Sequence, residues 1–179
     1  MTPIKRSGEH GFALIDVIFV CGLIGILASI AMPRMLMAKQ SAGAASAIGS
    51  LRAVNSAQLS YAFTCGAGFY APSLTVLGTP PPGGNEAFIT PSLGAADSVT
   101  RSGYLVQLEG TPFPGAPPTC NGLGVGESAQ GFRAGADALE PTNTRFFATN
   151  ANITIVEDTA SMWAAMPESG DAPSGHPLQ

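Results

Sequence analysis

The chain is poor in the residues that carry most enzyme chemistry. It has two histidines, His10 and His176, so Ser-His-Asp, Cys-His and histidine-metal arrangements all lack a member. Charge is scarce as well, with Asp, Glu, Lys and Arg together at 11%. The eight Lys and Arg residues are scattered and the formal net charge is −4, which leaves no basic stripe for a nucleic acid. The three cysteines, Cys21, Cys65 and Cys120, form no CxxC pair and have no neighbouring histidine, which argues against zinc. No catalytic residue, metal or cofactor is therefore expected. The glycines of "GLGVGES" at 122–128 suggest a nucleotide loop, but the Lys-Ser/Thr ending and a preceding parallel strand are missing, so this is a flexible loop. Glu157, Asp158 and Asp171 are the oxygen ligands calcium takes, yet no ordered ligand series is visible, and a solvated acidic surface is expected. Asn152-Ile153-Thr154 fits a glycosylation triplet, a short and unspecific match.

Long apolar runs are not lacking. Twenty of the 21 residues at 12–32 are uncharged, enough for a helix of about 30 Å across a bilayer. A basic leader (Lys5, Arg6) precedes the run, and one acid, Asp16, sits near its start. An unpaired acid there costs roughly 2.5–3.5 kcal/mol on insertion scales. A secretory signal peptide would have a shorter apolar core and gains nothing from an acid. A plain single-span anchor would be held N-in by Lys5 and Arg6, although Arg34 and Lys39 weaken the charge asymmetry. Neither reading gives Asp16 a purpose.

The segments "KRSGEHG" and "FALIDVIFVCGLIGILASIAMP" resemble the leader and processing site of the type IV pilin superfamily, which includes pilins and the pseudopilins of type II secretion. The resemblance covers residues 5 to about 40. It implies that a membrane prepilin peptidase cuts after Gly11 and N-methylates the new first residue, Phe12. It also implies that Asp16 pairs with the terminal amine of a neighbouring subunit as helices leave the inner membrane for a filament, and that Pro33 is the helix-breaking proline of the family. The usual acid at this place is glutamate, so Asp16 is one methylene shorter. The expected protein is a structural, non-enzymatic subunit of a helical homo-oligomer, inserted N-in in the bacterial inner membrane and later part of a periplasmic or surface filament. Its partners would be the peptidase and the inner-membrane assembly machinery. Loss of residues 1–11 would leave six basic and 11 acidic side chains. A type II secretion pseudopilin is the alternative within the superfamily, and a membrane-anchored binding module the alternative outside it.

Beyond Pro33 the chain stays rich in Ala, Met, Leu and Gln, which favour helix. Ile48, Leu51, Val54 and Tyr61 recur on one face, with Lys39, Ser46, Arg52 and Asn55 mostly elsewhere. The spacing predicts one helix over about residues 12–63, with a soft spot between Gly25 and Pro33 where the proline kinks or opens it. Gly43, Ala44 and Ala47 would let neighbouring stalks approach closely. From Cys65 the texture changes to Gly, Pro, Ser and Thr, read as a long ordered loop. "YLVQLE" at 104–109 is a strand, followed by short strands in "GFRAGADA", "TRFFATN" and "NITIVED", the last two separated by a tight turn near Asn150 and Ala151. Strand alternation would point Phe132, Phe146, Ile153 and Ile155 at the helix. The tail from Thr159 reads as irregular, with Trp163 capping the core. Cys65 and Cys120 fit a disulfide in an oxidising compartment, with two free buried thiols as the alternative.

The expected fold class is α+β: a long N-terminal helix, its first half transmembrane, packed against a small antiparallel β-sheet head. Residues 1–11 would be the leader, 12–33 the membrane and filament-core helix, 34–64 its amphipathic continuation, and 65–179 the head.

Overall fold

The computed structural model describes residues 14–178. One helix, α1 (Leu14–Thr64), is followed by two short helices, α2 (Leu74–Leu77) and α3 (Pro91–Gly94). Six strands follow: β1 (Ser98–Arg101), β2 (Tyr104–Glu109), β3 (Arg133–Ala138), β4 (Phe146–Asn150), β5 (Val156–Asp158) and β6 (His176–Pro177). They form one antiparallel sheet in the order β1-β2-β3-β4-β5-β6, so every strand pairs with its sequence neighbour. The α+β class with a long apolar N-terminal helix is thus present. Two compact units meet between Lys39 and Gln40.

Within the second unit the core lies between α1 and one face of the sheet. Ala44, Ala47, Leu51, Val54, Ala57, Tyr61 and Cys65 recur at threes and fours and are all buried. The opposing side chains are Tyr104, Val106 and Leu108 on β2, Ala134 and Ala136 on β3, and Phe147 on β4. Register explains the match, because Val106 lies opposite Ala136 and Ala136 opposite Phe147. The sequence "RAGADA" makes β3 thin on both faces. Its alanines give α1 room on one side, while on the other an added Cβ at Gly135 would stand 3.0 Å from the Trp163 ring.

Several expectations change here. Gly43, Ala44 and Ala47 pack within the chain and are not free for a neighbouring stalk. A Cβ at Gly43 would lie 2.8 Å from the Ser102 carbonyl oxygen. Asn55, expected on a polar face, is buried and donates to Thr149 Oγ1 at 3.0 Å and to the Ile153 carbonyl at 3.2 Å. Phe147, and not Phe146, faces the helix: the strand entered one residue out of the expected phase, and a one-residue slip exchanges faces. The expected tight turn is present, closed by the Ile153 N–H donating to the Asn150 carbonyl at 2.8 Å, but Ile153 has φ +64°, which takes it out of extended backbone, so "NITIVED" yields a strand only at Val156–Asp158. The loop beginning at Cys65 contains α2, α3 and β1, while the tail supplies β6 and a second layer. Met162 and Met166 close over Ala148 and Val156 on the face of the sheet away from α1. Finally, α1 continues as a single helix on both sides of Pro33.

Gln58 ties α1 to the segment that follows it. Fully buried, it donates from Nε2 to the Ala71 carbonyl at 2.8 Å and accepts from the Ala71 N–H at 2.9 Å. The side-chain amide thus pairs like a strand neighbour. Gln58→Leu would leave both Ala71 backbone groups unpaired, and a loss of about 3 kcal/mol is expected from two buried orphan groups. Thermal unfolding of the full chain in detergent measures it, and a loss under about 0.5 kcal/mol, the scale of neutral surface changes, would contradict the pairing.

Candidate functional site

The N-terminal part of α1 turns its apolar side chains outward on all sides. Leu14 is 76% exposed, Leu27 66% and Met35 77%, and the most apolar 18-residue window has no buried residue. This helix is long and apolar enough to cross a membrane. Leu, Ile, Val and Phe at every angular position leave no polar face, the pattern of a helix that needs an apolar surrounding on all sides.

Asp16 lies in the first turn of α1, where the partial positive charge of the helix N-terminus favours a carboxylate. It is exposed and makes no hydrogen bond or ion pair with another described residue. Gly11 and Phe12, the expected processing residues, lie outside the described residues. Pro33 sits inside the helix and supplies no N–H to the carbonyl of Ser29, one turn earlier. Ser29 itself donates from Oγ to the Ile26 carbonyl at 2.7 Å, a local bond that keeps its hydroxyl from facing hydrocarbon alone. Cys21 is free and exposed on the same segment.

The head holds the other expected pair. Cys65, one residue beyond α1, is bonded to Cys120 in the connection between β2 and β3, with Cα atoms 4.8 Å apart. The Cys120 N–H also donates to the Cys65 carbonyl at 3.3 Å. Next to the bridge, Asn121 gathers three segments. Its Oδ1 accepts from Thr119 Oγ1 at 2.8 Å and from Tyr61 at 3.4 Å, and its Nδ2 donates to the Val76 carbonyl at 2.9 Å. The end of α1, α2 and the Cys120 loop are thereby fixed together.

The carboxylates singled out in the sequence are engaged locally. Glu157 accepts from Arg145 at 2.5 and 2.9 Å, and this pairing holds its carboxyl below the usual range. Hydrogen bonds from the Ser174 hydroxyl and the Thr159 N–H lower Asp158 in the same sense. Asp171 lines a small cleft with Asn150, Asn152 and Ser174. Among the described residues no group of three or more His, Cys, Asp or Glu is placed to hold a metal ion. In the 122–128 loop the Gly124 N–H, where a phosphate would have to bind, donates to Glu127 of the same turn at 2.6 Å. Asn152 donates to the Gly170 carbonyl at 2.9 Å. Burial raises the Tyr104 phenol, whose oxygen accepts from Asn143 at 2.9 Å.

The structure therefore joins Cys65 to Cys120 and sets Asp16 and Pro33 on one exposed apolar helix. Sequence reasoning placed Arg52 off the apolar face of the helix without giving it a role, and passed over Glu86. Among the described residues neither takes part in a hydrogen bond or ion pair. No periodicity marks either one, since a charge is seen to be unpaired only once its neighbours are placed. No family model, curated protein or solved structure matches the chain.

Proposed function

We propose that the chain is a structural subunit of a type IV pilus-like filament, held in the membrane by the first part of α1 until assembly and polymerised through that same segment. The observation that carries this reading is the coincidence of an all-round apolar helix with a single carboxylate in its first turn. Such a helix is at ease among lipid tails or among copies of itself. The carboxylate is at ease in neither without a cation, because a charge held in an apolar medium is costly unless paired.

Cleavage after Gly11 would create that cation, the α-amine of Phe12, four residues ahead of Asp16. Positions four residues apart on an α-helix are separated by about 6 Å along the axis, at the rise of 1.5 Å per residue. A neighbouring helix displaced by one turn brings its amine level with Asp16. The pair would then fix the axial register between subunits, the best-attested use of a buried ionic contact. The disulfide-bonded head supplies the filament surface and suits an oxidising compartment.

Intact-mass measurement on protein recovered from its host's envelope tests the reading. The expected mass lacks residues 1–11 and carries one added methyl group on Phe12. An intact residue 1, or cleavage elsewhere, would overturn the proposal.

A further inference from the structure

Charge in this chain is sorted by element. Beyond Asp16, α1 carries Arg34, Lys39 and Arg52 and no acid, whereas residues 65–178 carry ten acids and three arginines. Most of those acids are engaged within their own head. Glu109 pairs with Arg133, Glu157 with Arg145, Glu168 with Thr111, Asp97 with Thr75 and Asp137 with Ser161. Glu127 and Asp158 bond in their own turns, and Glu140 also has a partner. Among the described residues, Glu86 and Asp171 are left.

Glu86 stands on an exposed stretch between α2 and α3 whose base is anchored. The Phe88 and Ile89 N–H groups donate to the Leu77 carbonyl, and the Phe88 ring meets Tyr61 edge-on at 5.3 Å. Its counterpart is a cleft of about 490 Å³ beside Arg52. Arg52, Ser56 and Thr154 supply polar groups there, while Ile153, Ile155 and Leu178 are apolar. A cation without a partner above an apolar floor suits a carboxylate on a short aliphatic stem.

The two features lie toward opposite edges of the sheet. Leu178 directly follows β6 and Ile155 directly precedes β5, which places the cleft at the β6 edge. The Glu86 loop leads through α3 into β1, the other edge strand. Asp171 shares a cleft with Val156 and Pro177 on the β6 side, so it cannot answer Arg52 from the opposite edge. A surface and its complement on different sides of one molecule make a head-to-tail contact, which propagates into an open helical array unless the rotation closes a ring.

We infer that Glu86 of one copy of this chain docks in the Arg52 cleft of the next, as a contact between heads. The inference rests on the filament reading for its setting, but on residues that reading does not use. Complementary charge at this contact selects the partner and its orientation more than it adds affinity.

The test uses the full-length chain in its own host, in a Cys21→Ser background. Ser56→Cys and Asn85→Cys together, after mild oxidation, are expected to give a ladder of covalent multimers. Adding Arg52→Glu or Glu86→Arg alone should cut ladder yield about ten-fold, and the two together should restore it to within about two-fold, as for a directly coupled pair. Filaments without a ladder, or a ladder indifferent to the reversals, overturn the contact and leave the filament reading standing. A charge-sensitive ladder without filaments keeps the contact and rejects that reading. Absence of both rejects both.

Discussion

Asp16→Ala is expected to abolish filament formation while leaving the chain in the membrane. Removing the acid takes about 2.5–3.5 kcal/mol off the cost of insertion, so the anchored form should accumulate at least as well as the parent. Assembly responds in the opposite direction. With the carboxylate gone, each Phe12 amine would be buried among apolar helices without a counter-charge, and breaking a buried pair from one side costs about 3–5 kcal/mol. At 1.4 kcal/mol per factor of ten, that is a loss of at least about a hundred-fold at every subunit contact. Asp16→Asn should behave like the alanine variant, since it keeps the shape and loses the charge. Asp16→Glu should still assemble, because it keeps the charge and adds one methylene of reach. Counting filaments by electron microscopy beside membrane-fraction blots separates the two effects. Filaments of normal number from Asp16→Ala would remove Asp16 from the assembly mechanism.

The second large effect is on the head. The Cys65–Cys120 bridge spans a sequence separation of 55, and closing a loop of that length stabilises by about 4 kcal/mol in the chain-entropy model. That is a large part of the 5–15 kcal/mol that holds a typical domain together. It falls where the structure has least regular support, since the end of α1 and the Gly/Pro-rich connections are otherwise joined through Asn121 and a few backbone bonds. Cys65→Ser with Cys120→Ser should therefore lower the thermal midpoint of the full chain in detergent by about 8–30 °C, at about 2–8 °C per kcal/mol for a domain of this size. A midpoint unchanged within a few degrees would show that the loops hold without the bridge. The same double variant should leave the membrane helix inserted.

What the sequence disclosed depended on how local the signal was. The long helix was legible because Ala, Leu, Met and Gln continue through Pro33 and past it, and a single proline did not outweigh them. Strands β2, β3 and β4 were legible as β-prone runs between turn residues. The rest needed partners. Strand β6 is two residues long and exists because β5 offers it an edge, and β1 is exposed and held by its register with β2. Asn55 looked like a surface residue of an amphipathic helix and Gln58 carried no signal of its own, and only the sheet and the Ala71 segment show what their amides are for. The small residues of α1 at 43–47 were read correctly as a close-approach surface and assigned to the wrong neighbour. For the candidate site, Asp16 was conspicuous as a charge in an apolar run. The idle charges of Arg52 and Glu86 became visible only after the other head carboxylates had been matched to donors.

Electron cryomicroscopy of filaments sheared from the surface of the native host tests the assembly mechanism most directly. The expected map has a helical core built from the first part of α1, with the Asp16 carboxylate within hydrogen-bonding distance of the Phe12 amine of an adjacent subunit. A filament of this chain whose core excludes α1, or in which Asp16 and every neighbouring Phe12 amine stand apart, would contradict it.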